Sequence, residues 1–314
     1  MPSYVPAIEA VEAFVPHQSI AIEDTVERLE INRNQLKVFR RVHGLAQLRL
    51  DPDLMLVDLL SAPAETLLAG VPDRSRIQYL IYAHTVPDVA PAHINMAQLL
   101  RDRLGLAHAE AFAVTQQNCA SGLAAVDIAV QLLLATGDPA LRALVVTGEK
   151  PVSRIFSIIP GCSIMGEGSA ACLVNINGDG MRIRSYSVKL DGRYAHMHPP
   201  SPAALTEFYA TYTSSVAEVL RDAIAKAGLE LGDITAIFPH NVNLSSWQRL
   251  IQELDVPSEL VYLDNVPRYG HCHCADPFLN LVSMREEGRL RDGDVYALAA
   301  VGLGAVYATM VIGG

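Results

Sequence analysis

The chain has 314 residues, of which 50% are hydrophobic, 18% are charged and 6% are aromatic. This composition allows a large buried core and excludes disorder, a coiled coil or a highly solvated tail. The formal net charge of -10 repels the phosphate backbone of nucleic acid, so we expect no nucleic-acid partner.

The N-terminal segment carries Glu9 and Glu12 where a secretory signal peptide would be basic and then apolar. No uninterrupted apolar run reaches the ~18 residues of a membrane span. The sequence therefore predicts a cytoplasmic protein without a membrane partner. Its five scattered cysteines do not form a disulfide framework, and in a reducing compartment each is a buried hydrophobe, a ligand or a nucleophile.

Apolar runs of strand length alternate with longer helical stretches along the chain, which is typical of an α/β protein. We predict strands over residues 77–83, 111–115, 141–147, 169–176, 234–238, 260–263, 295–301 and 306–312. We predict helices over residues 54–68, 94–104, 121–134, 208–227, 244–253 and 278–286.

Two halves of similar plan meet near Asn177, each with a long helix, an Asp-containing turn and a strand. We therefore predict an N-terminal half at 1–177 and a C-terminal half at 178–314. In the helix that begins near Ser121, only Asp127 and Gln131 are strongly polar after the first residue. A helix that is apolar almost all round has to be buried.

Cys119 is the candidate nucleophile, because it lies in the turn between a predicted strand and this buried helix. Unpaired backbone N–H groups and the positive end of the helix dipole stabilise a thiolate at such a position. A single cysteine is most often a small core hydrophobe, and we expect Cys162 and Cys172 to be of that kind.

Two further turns at strand ends carry histidines. His240 follows the predicted strand at 234–238, and His271 begins the run His-Cys-His-Cys-Ala-Asp that ends at Asp276. Loops at strand ends are where α/β folds collect chemistry. A cysteine with histidines on other loops is the general arrangement of a thiol nucleophile and its base.

The same run invites a metal interpretation, since Cys, His and Asp are all zinc ligands. Adjacent residues on an extended turn point in opposite directions, so only alternate members of the run share a side. A second ligand pair at finger-like spacing is missing from the sequence. We therefore predict no metal site.

Five motifs occur in order along the chain. They are Phe-Arg-Arg-Val-His-Gly-Leu at 39–45, Gln-Asn-Cys-Ala-Ser-Gly at 117–122, Gly-Glu-Gly-Ser-Ala-Ala at 166–171, Pro-His-Asn-Val-Asn-Leu at 239–244 and Gly-Leu-Gly-Ala at 302–305. Together they resemble the thiolase superfamily, specifically β-ketoacyl-acyl carrier protein synthase III and its relatives. The resemblance covers nearly the whole chain. It implies a layered αβαβα fold made of two similar halves, and a homodimer.

One departure from the family pattern bears on the reaction. Condensing enzymes of the family have Asn after the glycine of the Gly270 turn, where it helps to stabilise the enolate left by decarboxylation. This chain has His271 there, and Asp276 follows five residues later. A carboxylate that reaches one imidazole nitrogen fixes the tautomer and supports the ring as a base. The pair resembles the acyltransferase branch, which moves an intact acyl group in natural-product assembly.

That resemblance implies a ping-pong acyl transfer in polyketide-type biosynthesis. Cys119 takes the acyl group from a coenzyme A or acyl-carrier-protein thioester, which is a substrate and not a resident cofactor. His271, backed by Asp276, then activates an acceptor hydroxyl, amine or carrier thiol. The N–H groups of Cys119 and Leu303 hold the oxyanion, and His240 assists the oxyanion or binds the acceptor.

Three further residues are expected to bind substrate. Asn243 holds the His240 loop, Arg41 contacts phosphates of the donor, and His198 lines the acceptor pocket. Two other functions stay open from the sequence. One is a decarboxylating β-ketoacyl synthase III, with His240 and His271 in place of the usual His and Asn. The other is a non-catalytic partner subunit that keeps the fold.

Overall fold

The computed structural model describes residues 4–87, 89–195 and 201–314. In this part of the chain the strands are β1 Ala7–Phe14, β2 Ser19–Ala21, β3 Gln47–Arg49, β4 Ile77–Ala83, β5 Glu110–Val114, β6 Arg142–Glu149, β7 Ile158–Ile159, β8 Ser163–Ile164, β9 Gly168–Asn175, β10 Met181–Leu190, β11 Ala236–Pro239, β12 Val295–Gly302 and β13 Val306–Gly313. The α-helices are α1 Val26–Leu29, α2 Arg33–Arg41, α3 Leu56–Ala69, α4 Met96–Arg103, α5 Ser121–Thr136, α6 Arg154–Ser157, α7 Pro202–Lys226, α8 Leu244–Leu254, α9 Val266–Tyr269 and α10 Asp276–Glu286.

The central feature is a mixed sheet with the strand order β11-β12-β13-β10-β1-β9-β6-β4-β5. Strands β5 and β6 run parallel to β4, as β12 does to β11, whereas the remaining neighbours are antiparallel. The antiparallel contact between β1 and β10 consists of the pairs Ala7↔Arg182 and Ile8↔Met181. Strands that precede Asn177 lie on one side of this junction, and strands that follow it lie on the other.

Helices α5 and α10 occupy the middle layer. Leu123 of α5 and Phe278 of α10 belong to one apolar cluster with residues from the sheet on both sides of the junction, such as Ile81 and Leu298. Helices α3 and α4 cover the opposite face of the first half, and α7 and α8 cover that of the second. The predicted α/β class and αβαβα layering are confirmed.

The two strands at this junction were not predicted from the sequence, and one predicted strand is wrong. A register shift between Ile8 and Ala10 breaks the alternation of β1, so Ile8 and Val11 are both buried although they are three residues apart. A similar shift interrupts β10. The strand predicted at 260–263 is wrong, because a 3-10 turn and a single bridge from Val261 to Ile237 occupy that segment.

The buried helix that was predicted near Ser121 is α5, and its packing positions the site. A Cβ atom on Gly122 would lie 2.7 Å from the carbonyl oxygen of Cys274, so only glycine lets α5 approach the 273–275 turn this closely. Among the described residues, Asn118–Thr136 is the one helical stretch long and apolar enough to span a membrane. It is the core helix of this fold, with 61% of its apolar window buried.

Candidate active site

Cys119 lies in a 3-10 turn, Asn118–Ala120, that joins β5 to α5. Positive φ angles at Gln116 (+70°) and Asn118 (+49°) turn the chain sharply before the helix begins. The cysteine side chain is only 7% exposed. It stands at the amino end of a 16-residue helix, next to the positive end of the helix dipole.

His271 and Asp276 lie directly beside this thiol. Nε2 of His271 is 3.2 Å from Sγ of Cys119, and Nδ1 of His271 is 2.5 Å from Oδ2 of Asp276. His271 follows the left-handed Gly270 (φ +73°) at the end of α9, and Asp276 is the first residue of α10. The three side chains that the sequence analysis grouped are therefore in contact in one continuous line.

Asp276 is fully buried and is held by donors on both of its oxygens. Its Oδ2 accepts from the backbone N–H of Asn241 at 2.6 Å, while Oδ1 accepts from the Asn241 amide at 3.2 Å and from the Cys272 N–H at 2.8 Å. These bonds satisfy a charge that would otherwise be costly to bury. They also fix the carboxylate in the orientation that orders His271.

The surroundings of His271 favour its protonated form. Burial alone lowers the pKa of this histidine, but the charges of Cys119 and Asp276 and their hydrogen bonds outweigh burial and raise the pKa of His271 to about 10. At neutral pH the ring therefore keeps its proton in the free protein. The charged ring therefore lies in hydrogen-bonding contact with the candidate nucleophile.

The other four cysteines lack such a partner. All four are buried, and burial is the first cause that raises the pKa of each thiol, to about 12 in Cys162. Cys162 and Cys172 are core residues, as predicted. Among the five cysteines of the chain, Cys119 is thus the one in contact with a charged base.

His240 lies next to His271, with 5.7 Å between their ring centroids and an edge-on orientation. Its Nε2 is 3.2 Å from the hydroxyl of Tyr212. Burial, reinforced by the charge on His271, holds the pKa of His240 well below its usual value. His240 is therefore a neutral ring beside a charged one.

Asn243 holds the His240 loop, as the sequence analysis expected. Its Oδ1 accepts from the Ser246 N–H at 2.8 Å and caps α8, while its Nδ2 donates to the Cys162 carbonyl at 3.2 Å. The indole N–H of Trp247 donates to the His240 carbonyl at 2.9 Å. Both ends of the Asn243 amide are used within the protein, and its contact with substrate stays a prediction.

Leu303 lies in the turn between β12 and β13, next to the nucleophile turn. The Asn118 amide donates to the Leu303 carbonyl oxygen. A Cβ atom on Gly302 would lie 2.1 Å from the Gln117 carbonyl oxygen, so the two turns touch through backbone atoms. This contact brings Leu303 close to Cys119, although the oxyanion role of its N–H stays a prediction.

The Gly302 contact gives a first test of the site. We expect Gly302→Ala to slow acylation of Cys119 by about 100-fold, because the added methyl displaces the nucleophile turn. The measurement is the rate of mass gain on the intact protein after mixing with an acyl thioester. Gly232→Ala is the control, since its Cβ meets nothing within 4 Å. Equal rates in both variants would show that the contact does not position Cys119.

Two predicted site residues remain, Arg41 and His198. Arg41 is exposed at the carboxyl end of α2. His198 lies outside the described residues. The binding roles of both stay predictions.

The side chains of the 271–276 run, which suggested a metal site, contact different neighbours. His271 faces Cys119 and Asp276, whereas His273 lies 3.7 Å from Glu149 and Cys274 contacts Thr147. Within residues 4–87, 89–195 and 201–314, no group of three or more His, Cys, Asp or Glu side chains could hold a metal ion.

Sequence reasoning missed several residues of the site. Asn241 orders Asp276, and the only signal for it was its position directly after His240. Tyr212 reaches the site from α7, far from any motif. Glu149 and His273 form a buried pair, with the His273 ring 5.7 Å from that of His271, and no spacing rule connects them.

Comparison with known proteins places this geometry in context. The family model described as 3-oxoacyl-[acyl-carrier-protein (ACP)] synthase III C terminal matches residues 224–313. A β-ketoacyl-[acyl-carrier-protein] synthase III from Lactobacillus delbrueckii subsp. bulgaricus is 24% identical over 320 residues, which cover 95% of this chain and 96% of that protein.

Two solved structures share the whole fold. ChlB3, described as an acyltransferase, superposes with a TM-score of 0.86 at 20% identity, over 98% of this chain and 97% of its own. A β-ketoacyl-[acyl carrier protein] synthase III from Thermus thermophilus superposes with a TM-score of 0.81 at 25% identity, over 98% of this chain and 99% of its own. The layered fold described above is thus that of these proteins.

Proposed function

Because this chain is a β-ketoacyl-[acyl-carrier-protein] synthase III-like member of the thiolase superfamily, we propose that it transfers an intact acyl group through a thioester on Cys119. The observation that supports this proposal is the continuous contact of Cys119, His271 and Asp276. The arrangement has the parts of a nucleophile, base and orienting carboxylate. The donor is a coenzyme A or acyl-carrier-protein thioester.

In the first half-reaction, Sγ of Cys119 attacks the thioester carbonyl carbon. The N–H groups of Cys119 and Leu303 bind the oxyanion, each contributing roughly 3 kcal/mol in the transition state. The bond from that carbon to the donor sulfur breaks, and the departing thiolate takes the Nε2 proton of His271. The products are an acyl-Cys119 and a free donor thiol.

In the second half-reaction, an acceptor hydroxyl, amine or thiol gives its proton to His271 and attacks the acyl carbon. The tetrahedral intermediate collapses with loss of the Cys119 thiolate, which restores the ion pair. Acylation itself prepares His271 for this role. It converts the Cys119 sulfur into a neutral thioester. This removes the Cys119 charge, whose electrostatic effect on the pKa of His271 is larger than that of the Asp276 charge.

This change predicts different pH profiles for the two half-reactions. Acylation needs the His271 proton, so we expect its rate to hold through neutral pH and to fall as pH passes the His271 pKa of about 10. Transfer needs the neutral ring, so its rate should rise with pH through the lower pKa of His271 in the acyl-enzyme. Pre-steady-state rates measured between about pH 6 and 11 check this. A single shared pKa in both profiles would contradict the mechanism.

A second candidate is decarboxylating condensation, which the names of the β-ketoacyl-[acyl-carrier-protein] synthase III relatives favour. His240 and His271 would then together bind the thioester carbonyl of a malonyl donor. In the structure Nε2 of His240 is bonded to Tyr212 and Nε2 of His271 to Cys119. Because Asp276 holds the Nδ1 side of His271, as a carboxylate does behind a catalytic base, we favour transfer of an intact acyl group.

Intact mass spectrometry with a panel of acyl-coenzyme A and acyl-carrier thioesters tests the proposal. We expect an added acyl mass on Cys119 that is lost faster when an acceptor is added than by hydrolysis alone, and no carbon dioxide from a malonyl thioester. Carbon dioxide release would support condensation instead. Failure of every donor to add mass would support a non-catalytic subunit.

We also propose a homodimer. Strand β5 ends the order of the nine-stranded sheet, with β4 as its one neighbour, so its outer edge is unpaired among the described residues. This edge leads directly into the Cys119 turn. Pairing of two copies along β5 would cover the exposed edge close to the nucleophile.

A further inference from the structure

Tyr212 is a site residue that lies outside every sequence motif. Its ring on α7 packs edge-on against those of Phe208, at 5.6 Å between centroids, and Tyr307, at 6.3 Å. Its hydroxyl is 3.2 Å from Nε2 of His240. Burial, with the charges of neighbouring cysteine and tyrosine side chains, including Cys119, raises the pKa of Tyr212 well above its usual value. The hydroxyl therefore keeps its proton close to the nucleophile.

The direction of the bond between Tyr212 and His240 follows from the surroundings of the histidine. Neutral His240 carries one ring N–H. Its Nδ1 is buried and makes no hydrogen bond of normal geometry in the described part of the chain, although a contact with the Ala299 backbone acts to raise the pKa of the ring. A proton on Nδ1 would be an unpaired buried donor, and such donors are rarer in proteins than under-used acceptors. The proton is therefore on Nε2, which donates to the Tyr212 oxygen.

Because the Tyr212 oxygen accepts in this bond, its own hydrogen is free to be donated to another group. Among the described residues, Tyr212 has no hydrogen-bond partner other than His240. His240 thus orients the tyrosine, and the tyrosine presents an O–H donor beside His240, whose ring is 5.7 Å from that of His271.

Building on the proposed acyl transfer, we propose that Tyr212 binds the acceptor and selects an alcohol oxygen over a thiol. An alcohol oxygen is a good hydrogen-bond acceptor, whereas a thiol sulfur is a weak one. The alcohol would accept from Tyr212 and donate its own hydrogen to Nε2 of His271. Its oxygen then bonds to the acyl carbon, the bond from that carbon to Sγ of Cys119 breaks, and the proton remains on His271.

A matched pair of small acceptors tests this selection. N-acetylethanolamine and N-acetylcysteamine differ only in an oxygen or a sulfur at the reacting position. Acyl-enzyme is prepared with acetyl-coenzyme A, and its decay with each acceptor is followed by intact mass spectrometry in wild type and Tyr212→Phe. We expect Tyr212→Phe to slow transfer to the alcohol about tenfold and to leave transfer to the thiol unchanged. Water is also an oxygen acceptor, so Tyr212→Phe should slow hydrolysis of the acyl-enzyme in parallel with transfer to the alcohol. The hydrolysis rate is the measurement if the alcohol does not react.

Tyr209→Phe is the control, because it removes a hydroxyl from the same helix at a 40% exposed position without a bond to His240. It should leave both rates unchanged. Equal slowing of alcohol and thiol by Tyr212→Phe would mean a packing role, and no slowing would mean no role; either result overturns the proposal. Absence of any acyl-enzyme in wild type would instead be a failure of the proposed acyl transfer.

Discussion

Cys119→Ala should gain no acyl mass from any thioester donor, and its overall transfer rate should fall by at least about 1,000-fold. The physical reason is that the thiolate forms the covalent bond and no other described cysteine contacts a charged base. Intact mass spectrometry and product formation measure the two effects separately.

Cys172→Ala is the matched control for this variant. Cys172 is buried in β9, and burial raises the pKa of its thiol, so we expect this thiol not to act as a nucleophile. We expect this variant to be acylated at the wild-type rate, with stability lower by about 1 kcal/mol because a small cavity opens in the core. Acyl mass on Cys119→Ala at the wild-type rate would mean that another side chain is the nucleophile.

Asp276→Asn should leave acylation detectable and slow acyl transfer by roughly 10³- to 10⁴-fold. The amide carries no charge, so the pKa of His271 falls and the ion pair with Cys119 weakens. An amide also cannot accept on both sides as Asp276 does from Asn241 and Cys272, so the His271 tautomer is no longer fixed. Rapid-quench measurements of acyl mass separate the two half-reactions.

The control for Asp276→Asn is the same substitution at Asp222, an exposed residue that pairs with Lys226 on α7. Its ion pair is far from the cluster of Cys119, His271 and Asp276 and is screened by solvent, so both rates should stay at the wild-type level. Thermal melting of both variants shows whether the fold is kept. A wild-type transfer rate in a folded Asp276→Asn would mean that Asp276 does not support the base.

The order of helices and strands could be read largely from the sequence. Strand β4 was predicted with its observed bounds, Ile77–Ala83, because both faces of this interior strand are packed and residues 79–83 form an apolar run. Strands β1 and β10 were missed although they join the two halves of the sheet. Their register shifts break the two-residue alternation, and the pairing partners that fix them are distant in the chain.

Part of the site could also be predicted. His271 and Asp276 are five residues apart on one turn, so their contact is local and a sequence pattern can carry it. Cys119 is 152 positions from His271, and their 3.2 Å contact depends on how α5 packs against the 273–275 turn. The base was assigned to His271 from its resemblance to the acyltransferase branch, whereas the role of His240 stayed open, because no spacing gives the distance from either ring to the thiol.

The sequence by itself determined the residue types and local turns of this protein: a cysteine at the start of a buried helix, a histidine five residues before an aspartate, and the alternation that makes an α/β fold. Only the tertiary structure decided that His271 faces Cys119 while His240 turns to Tyr212. It also decided that Asn241 orders Asp276. The reason is that these contacts join α7, α10 and the loops after β5 and β11, and the packing of the middle layer sets their distances. Propensity and periodicity act over a few residues, whereas the chemistry here depends on separations fixed by the whole fold.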